Sequence, residues 1–320
     1  MSDDITRLTV DAAHVGKRLD RFIVDALPEL SRARVRLMLD EGRVRVDGRR
    51  ARKGDPLREG SVVELQGAAP PADFTPVAAP DAPLTVRHED PALLVVDKPA
   101  GQPTHPLKPD ETGTLANALV GRYPDTAAVG FHKREPGLLH RLDTDTSGLV
   151  LVARTAAAFE ALRAAQLSDA ITKRYLALVE GEVASEGVVD LPLVPHRKDP
   201  KRVEAVTDHV RLRAGTRTHE ARTHYRPARA FDGYTLVEVE ISRGFRHQIR
   251  AHLAAAGHPL VGDTLYRGPA LPESLGSLGR HFLHASELRL QHPDDGRELR
   301  VVSPLPDDLA AVLGRLRSRA

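Results

Sequence analysis

The chain has 320 residues, 41% of them hydrophobic and 28% charged, with a formal net charge of +2; this composition supports a folded protein of about two domains and excludes a disordered or fibrous chain. It has no cysteine, which removes disulfides and thiolate metal sites and fits a reducing compartment. No apolar run approaches the ~20 residues of a membrane helix, and the acidic start Met1-Ser2-Asp3-Asp4 is not a secretory signal, so a cytoplasmic location is expected.

Residues 1–16 read as an N-terminal extension. From residue 17 the pattern sharpens. Leu19, Phe22, Ile23, Ala26 and Leu27 recur along one helical face, and Pro28 ends it. Ser31 is a fitting N-cap for a second helix with Val35, Met38 and Leu39 on its apolar face and Gly42 as its stop. Val44 and Val46 then alternate with Arg43 and Arg45, Asp47-Gly48 marks a tight turn, and Val62 to Leu65 is a further strand. The near-neutral total hides a cluster here: residues 32–53 hold nine basic side chains against three acidic ones. A basic helix face is often simply solvated, but this concentration predicts contacts from Arg32, Arg36, Arg43 and Arg45 to a polyanion backbone.

Residues 67–83, rich in alanine and proline, read as an extended linker. Residues 84–320 read as one α+β domain with a mixed, largely antiparallel sheet. Its strands include Leu93 to Val96, residues 149–153, Thr172 to Val179, and the alternating Val237, Val239 and Ile241; helices are expected over Thr155 to Ala165 and through Ile249 and Leu253 up to Gly257. Asp97 to Gly101 reads as a turn, and Leu191 to Pro195 and residues 274–279 read as surface insertions.

The densest chemistry lies in His140-Arg141-Leu142-Asp143-Thr144-Asp145-Thr146-Ser147-Gly148, a polar loop feeding the apolar run 149–153. Loops held by a rigid sheet are where catalytic groups usually sit. In isolation, an aspartate before Thr-x-Thr is a turn or helix cap. The segment resembles the H-R-L-D-x-x-T-S-G loop of the RluA family of pseudouridine synthases. The resemblance extends to Asp97-Lys98-Pro99-Ala100-Gly101, to Thr172-Lys173-Arg174-Tyr175, to His247-Gln248-Ile249-Arg250 with His252-Leu253, and to Gly257 through Asp263 with Tyr266. The run from Ser31 to Gly48 is similar to an S4 RNA-binding domain, here spanning 17–66.

The resemblance implies an RNA-modifying isomerase that needs no cofactor and no metal. It breaks the N1–C1′ bond of a uridine, turns the base and rejoins it through C5, with a carboxylate serving as nucleophile at C1′ or as base on the sugar. It assigns that carboxylate to Asp143, its cation to Arg250, and a tyrosine packing on the base to Tyr175. Arg141 would hold the nucleotide out of the RNA stack. His140, Thr146, Ser147, His247 and Gln248 complete the implied substrate-binding set. One departure stands out: where many members read T-G-R-T before His-Gln-Ile-Arg, this chain reads Arg243-Gly244-Phe245-Arg246, which alters the pocket and so bears on the target. The expected substrate is structured RNA, foremost ribosomal RNA of the large subunit, with transfer RNA as the alternative, and the expected state is a monomer. The competing readings are a catalytically silent RNA-binding protein on the same scaffold and a glycoside hydrolase using Asp143 and Asp145.

Overall fold

The apolar periodicities become helices and strands in the computed structural model, which describes residues 5–27, 30, 32–52, 54–67, 73–210, 212, 215–273 and 276–317. The chain divides into two units, Met1–Asp73 and Phe74–Ala320.

In the first unit, β1 (Ile5–Thr9), α1 (Leu19–Ala26), α2 (Arg32–Asp40), β2 (Val44–Val46), β3 (Arg49–Arg50) and β4 (Val62–Gln66) follow one another. The strands pair antiparallel in the order β1-β4-β2-β3. Leu19, Phe22 and Ile23 of α1 and Val35, Met38 and Leu39 of α2 pack with Val44, Val63 and Leu65 in one core, so the helical faces expected from sequence are the buried ones. Asp47 (φ 49°) and Gly48 (φ 77°) both take left-handed backbone, which the two-residue hairpin between β2 and β3 requires. Residues 5–9 correct the expectation of a plain extension: they form the edge strand β1, whose alternating half-exposed residues gave little hydrophobic signal. Ser31 and Lys53 lie outside the described residues.

The second unit comprises β5 (Thr85–Glu89), β6 (Leu93–Lys98), α3 (Leu115–Arg122), β7 (Ser147–Ala153), α4 (Ala156–Leu167), β8 (Thr172–Glu180), β9 (Gly187–Asp190), β10 (Leu193–Pro195), β11 (Val203–Ala205), β12 (Arg222–Phe231), β13 (Tyr234–Ile241), α5 (Gln248–Ala255), β14 (Leu283–Gln291), β15 (Glu298–Val302) and α6 (Asp307–Arg315). Among the described residues, nine strands form one sheet in the order β5-β6-β7-β14-β8-β13-β12-β9, with β15 beside the far half of β14. Only the β7–β14 pair is parallel; the rest are antiparallel. The fold is therefore α+β on a mixed, largely antiparallel sheet.

Central strands are buried on both faces, as their unbroken apolar runs require. Leu94, Val96, Val150 and Val152 meet α3 and α5 on one face. Leu93, Val95, Leu149 and Leu151 meet α4 on the other, while Leu178 and Phe282 lie under α6. At ~1.5–3 kcal/mol for each fully buried large aliphatic side chain, this sandwich fixes the strand ends that carry the loops. Asp97 and Lys98 belong to β6, so the expected turn begins at Pro99. Leu191 to Pro195 is not a surface insertion: Leu193 and Val194 are buried in a β10–β11 hairpin, and the prolines that suggested a loop sit at its margins. Of the stretch 274–279, residues 274 and 275 lie outside the described set. The end of the supposed linker is also packed. Ala79 N donates to Asn117 O (3.0 Å) and Asn117 Nδ2 to Val77 O (2.8 Å), and a Cβ on Gly121 would lie 2.4 Å from the Ala79 backbone.

Gly148, where β7 leaves the polar loop, has φ 115°, and a Cβ there would sit 2.2 Å from the Ala285 carbonyl oxygen. We predict that Gly148→Ala costs about 2–3 kcal/mol of stability through strained backbone and overpacking, measured by denaturant unfolding. A change under about 0.5 kcal/mol, the range of an unremarkable surface substitution, would show that the parallel β7–β14 contact yields without strain.

Candidate active site

Asp143 lies on the loop between residues 139 and 146, just before β7, and that loop is fastened from several sides. Thr104 Oγ1 donates to Leu142 O (2.8 Å) and accepts from Leu142 N (3.2 Å). Thr146 N closes a turn onto Asp143 O (3.0 Å), and Gly101 N donates to Thr144 O (2.9 Å). The fully buried Lys98 sends its ammonium to Pro99 O (2.8 Å), Gln102 O (2.8 Å) and Thr144 O (3.0 Å). Burial pushes this amine down to about 7, against the opposing pull of Asp143 and Asp145. Arg280 donates to Asp145 O (3.1 Å) while gripping Asp308 of α6 through Nε and Nη2 (2.7 and 3.0 Å).

Across from the loop, α5 presents Arg250. Its Nη1 donates to Asp143 Oδ2 (2.9 Å). Its Nε and Nη2 are taken by the two oxygens of Asp263 (2.6 and 2.8 Å), a carboxylate 1% exposed. A planar guanidinium is the one side chain that can hold two carboxylates at fixed angles while remaining charged at any working pH. His247 caps α5 in left-handed backbone (φ 55°), an uncommon conformation for a residue with a side chain and one that clusters at functional sites. Its Nε2 stands 3.8 Å from Asp143 Oδ2, and its Nδ1 meets the Tyr266 hydroxyl at 3.1 Å.

Burial would raise the Asp143 carboxyl, but His247 and Arg250, together with the Arg250 hydrogen bond, hold it below the ordinary carboxylate range. His247 is itself pushed down by burial, so the permanent cation at neutral pH is Arg250. Tyr175 of β8 is buried with the core on the same face; burial first, and the charge of Asp143 second, push its hydroxyl up, so it stays protonated.

These groups line a cleft of about 680 Å³ that also holds Arg141, His140, Thr146, His247 and Lys173. Arg141 is exposed and reaches His105 Nε2 (3.1 Å). His140 Nε2 accepts from Leu151 N (3.1 Å), which requires the neutral ring, and burial drives its pKa well down. Thr146 Oγ1 bonds His281 Nε2 (2.7 Å), and burial pushes His281 down to about 4. Lys173 donates to Ser242 O (2.9 Å), and its burial lowers it to about 8.

Two residues of the expected substrate-binding set do not present free groups to the cleft. Ser147 points away: its hydroxyl lies 3.0 Å from His284 Nδ1 and 3.3 Å from Arg280 Nη1. It follows Thr146 into an extended strand, where successive side chains face opposite sides. Gln248 borders the cleft, but its amide is spent inside the protein, accepting from Phe245 N (3.0 Å) and donating to Arg222 O (2.9 Å) and Thr223 Oγ1 (3.2 Å). In the first unit Arg32 and Arg36 are exposed on α2. Arg43 is not available to a polyanion: Nε and Nη2 donate to Gln66 O (3.0 Å) and Gly67 O (2.9 Å), and Nη1 to Glu41 (3.2 Å). Arg45 is exposed, with one bond to Gly48 O (3.1 Å). A cavity of about 450 Å³ is lined by Arg36, Arg50 and Arg52 together with Asp40.

An ionised, half-buried carboxylate facing a cleft, locked to an arginine and overlooked by a protonated tyrosine, can attack or deprotonate a sugar. The family comparisons decide which reaction this is. The model of the RNA pseudouridylate synthase family matches residues 92–255, and that of the S4 domain matches residues 17–63. The chain belongs to the RNA pseudouridylate synthase family. This synthase is 41% identical to an uncharacterized RNA pseudouridine synthase of Chloroflexus aurantiacus, over 98% of this chain and 94% of the other. It is 36% identical to the ribosomal large subunit pseudouridine synthase D of Xanthomonas campestris, over 99% and 94%. Among solved structures, the human RNA pseudouridylate synthase domain containing 4 protein matches 74% of this chain and 94% of its own, with 26% identity and a TM-score of 0.57.

Asp263, Thr104, Lys98, Arg280 and His281 were not singled out from sequence as parts of the site. Lys98 and Asp263 do lie in segments that match the resembling pattern, Asp97 to Gly101 and Gly257 to Asp263, but the pattern gave them no role.

We predict that Arg250→Ala moves the acid limb of the kcat/KM profile to higher pH, because the charge and hydrogen bond of Arg250 no longer offset the burial of Asp143 and the protonated carboxyl is inactive. Asp263→Ala should lower kcat roughly 10- to 100-fold by letting Arg250 shift, with RNA affinity unchanged. An unmoved acid limb in the Arg250 variant would assign that arginine to packing.

Proposed function

We propose that this synthase converts uridines of large-subunit ribosomal RNA to pseudouridine in the cytoplasm, with Asp143 as the reacting carboxylate. The observation that carries the assignment is the Asp143–Arg250–Asp263 arrangement at the foot of a cleft otherwise lined by Tyr175, Arg141 and His247. Arg250 keeps Asp143 ionised and aimed. The carboxylate then acts on the sugar, as nucleophile at C1′ or as base, while the N1–C1′ bond breaks. The base turns within the cleft, and the C5–C1′ bond forms as the carboxylate leaves C1′ or, if it acted as base, returns the sugar its proton; C5 then yields its proton as N1 gains one. Tyr175, its ring at the cleft wall and its hydroxyl protonated, packs on the captive base. Arg141, exposed at the mouth, takes the space of the extruded nucleotide. His247 and Thr146 border the reacting carboxylate; Gln248 serves by holding backbone, and Ser147 by holding the His284 and Arg280 side chains.

Ribosomal RNA is favoured over transfer RNA because relatives named for the ribosomal large subunit align along nearly the whole chain, S4 segment included. No described helix is long and apolar enough to cross a membrane. The silent RNA-binding alternative is disfavoured by the intact and ionised carboxylate.

Asp143→Asn, nearly isosteric, should abolish conversion, a loss of at least about 10⁴-fold for removal of a reacting nucleophile or base, while leaving RNA binding within about two-fold. Mapping pseudouridine in large-subunit RNA from cells with and without the gene tests the target; a gain confined to transfer RNA would redirect the assignment.

The division of labour gives a second expectation. Deleting residues 1–73 should leave uridine conversion in a small stem-loop while reducing the salt dependence of binding to folded ribosomal RNA, since basic backbone contacts release counterions. Deletion to residue 83 should in addition destabilise the enzyme, because Val77 and Ala79 are bonded to Asn117 of α3. An identical salt slope with and without residues 1–73 would remove the basic segment from RNA binding.

A further inference from the structure

The segment that departs from the resembling motif, Phe245-Arg246, is tied to the β10–β11 hairpin. The hairpin's base is anchored by packing: Leu193, Val203 and Ala205 are buried with Ala251 and Tyr266, and Phe245 lies against this cluster. Its tip, residues 196–202, has no such core. Arg197, Lys198 and Lys201 are exposed, and among the described residues their side chains make no ion pair. Internally the tip is ordered by small bonds. His196 N donates to Arg202 O (3.1 Å), Asp199 N to His196 Nδ1 (3.1 Å), and Lys201 N to Asp199 Oδ1 (2.9 Å).

The link to the cleft comes from outside. Arg246 is half-buried, and its Nη2 donates to both Pro200 O (3.0 Å) and Arg202 O (2.9 Å). Just below, the Tyr266 hydroxyl accepts from Val203 N (3.0 Å) and donates to Val203 O (3.2 Å). The Arg202 guanidinium stands 5.2 Å from the centre of the Tyr266 ring. Tyr266 also meets His247, which faces Asp143. His196, Pro200 and Val203 line the cleft, so the hairpin is one of its walls and its basic tip is the rim. A threonine at 246, as in the resembling pattern, has neither the reach nor the donors for the two carbonyls.

We propose that Arg246 is a positioning residue that fastens this hairpin as a fixed wall of the cleft, and that Arg197, Lys198 and Lys201 form a phosphate-binding rim over which the RNA strand enters. The rim rests on the proposed action on RNA; the fastening does not. Three flexible cations on a tip held in place lose less freedom on meeting phosphates than the same cations on a swinging loop, so the fastening acts on binding rather than on the chemical step.

The tip carries its own reporters, because trypsin cuts after lysine and arginine. In free protein without RNA, Arg246→Thr should be cut between residues 197 and 202 about ten-fold faster than the wild type, the loss expected when hydrogen bonds from a charged donor are removed and the loop opens locally. With unmodified ribosomal RNA transcript as substrate, the same variant should show KM raised about ten-fold with single-turnover rate within about two-fold, and Arg246→Lys should recover part of the loss. The combined change Arg197→Ser, Lys198→Ser and Lys201→Ser should lower the slope of log affinity against log salt by about 2, measured with a single-stranded oligouridylate and with the transcript. Equal tip cleavage in wild type and Arg246→Thr, or a fall in rate with KM unchanged, overturns the fastening. An unchanged salt slope in the triple variant overturns the rim. A wild type that neither binds nor converts RNA overturns the function beneath the rim, while the cleavage comparison still decides the fastening.

Discussion

Everything in this site depends on one guanidinium shared between two carboxylates. Taking charges out of water costs several kcal/mol per ion, repaid only by close and complete hydrogen bonding. Arg250 meets that condition because its three nitrogens are divided: Nε and Nη2 to Asp263, Nη1 to Asp143. Asp263, on the turn after α5, sets the plane of the fork, and the fork sets the direction from which Asp143 is approached. Arg250 engages only Oδ2 of Asp143, and Asp143 lines the cleft. A lysine at 250 would supply charge without that plane.

The loop bearing Asp143 is organised by backbone carbonyls rather than by side-chain packing. Lys98, Gly101, Thr104 and Arg280 each bond a carbonyl or amide of residues 142–145. They come from β6, from the turn beyond it and from the approach to β14, so the carboxylate is referenced to the centre of the sheet. Catalytic geometry of this kind tolerates little error, since misplacement by about 1 Å can cost on the order of 100-fold in rate. The double-sided core under β6, β7 and β14 supplies the rigidity.

The reading from sequence was good wherever a local rule decided the structure. Helical spacing gave α1 and α2, the Asp47-Gly48 pair gave the β2–β3 turn, and the motif residues Asp143, Tyr175 and Arg250 meet in one cleft. It was poor wherever a contact between distant segments decided. Thr146 and Ser147 are neighbours of similar chemistry, yet strand alternation sends one to the cleft and the other to Arg280. Arg43 looked like its basic neighbours, but the chain end of β4 brings Gln66 and Gly67 within its reach. Asp263 is a turn residue by composition and a charge partner only because the turn folds back onto α5. The prolines of residues 192 and 195 argued for a loop, yet the buried pair Leu193 and Val194 between them forms a strand.

The single parallel contact of the sheet has a consequence for how the molecule comes into being. Ser147 and Gly148 pair with His284 and Ala285, and Arg280 reaches back to Asp145. A polypeptide made from its N-terminus holds the Asp143 loop early, but the strand that completes the loop's surroundings follows more than a hundred residues later. Such a distant pairing is closed late, and topologies built on it fold at the slower end of the range for small domains. The site is thus assembled only once β14 is in place, and stopped-flow refolding of the intact protein reads how slowly that distant pairing closes.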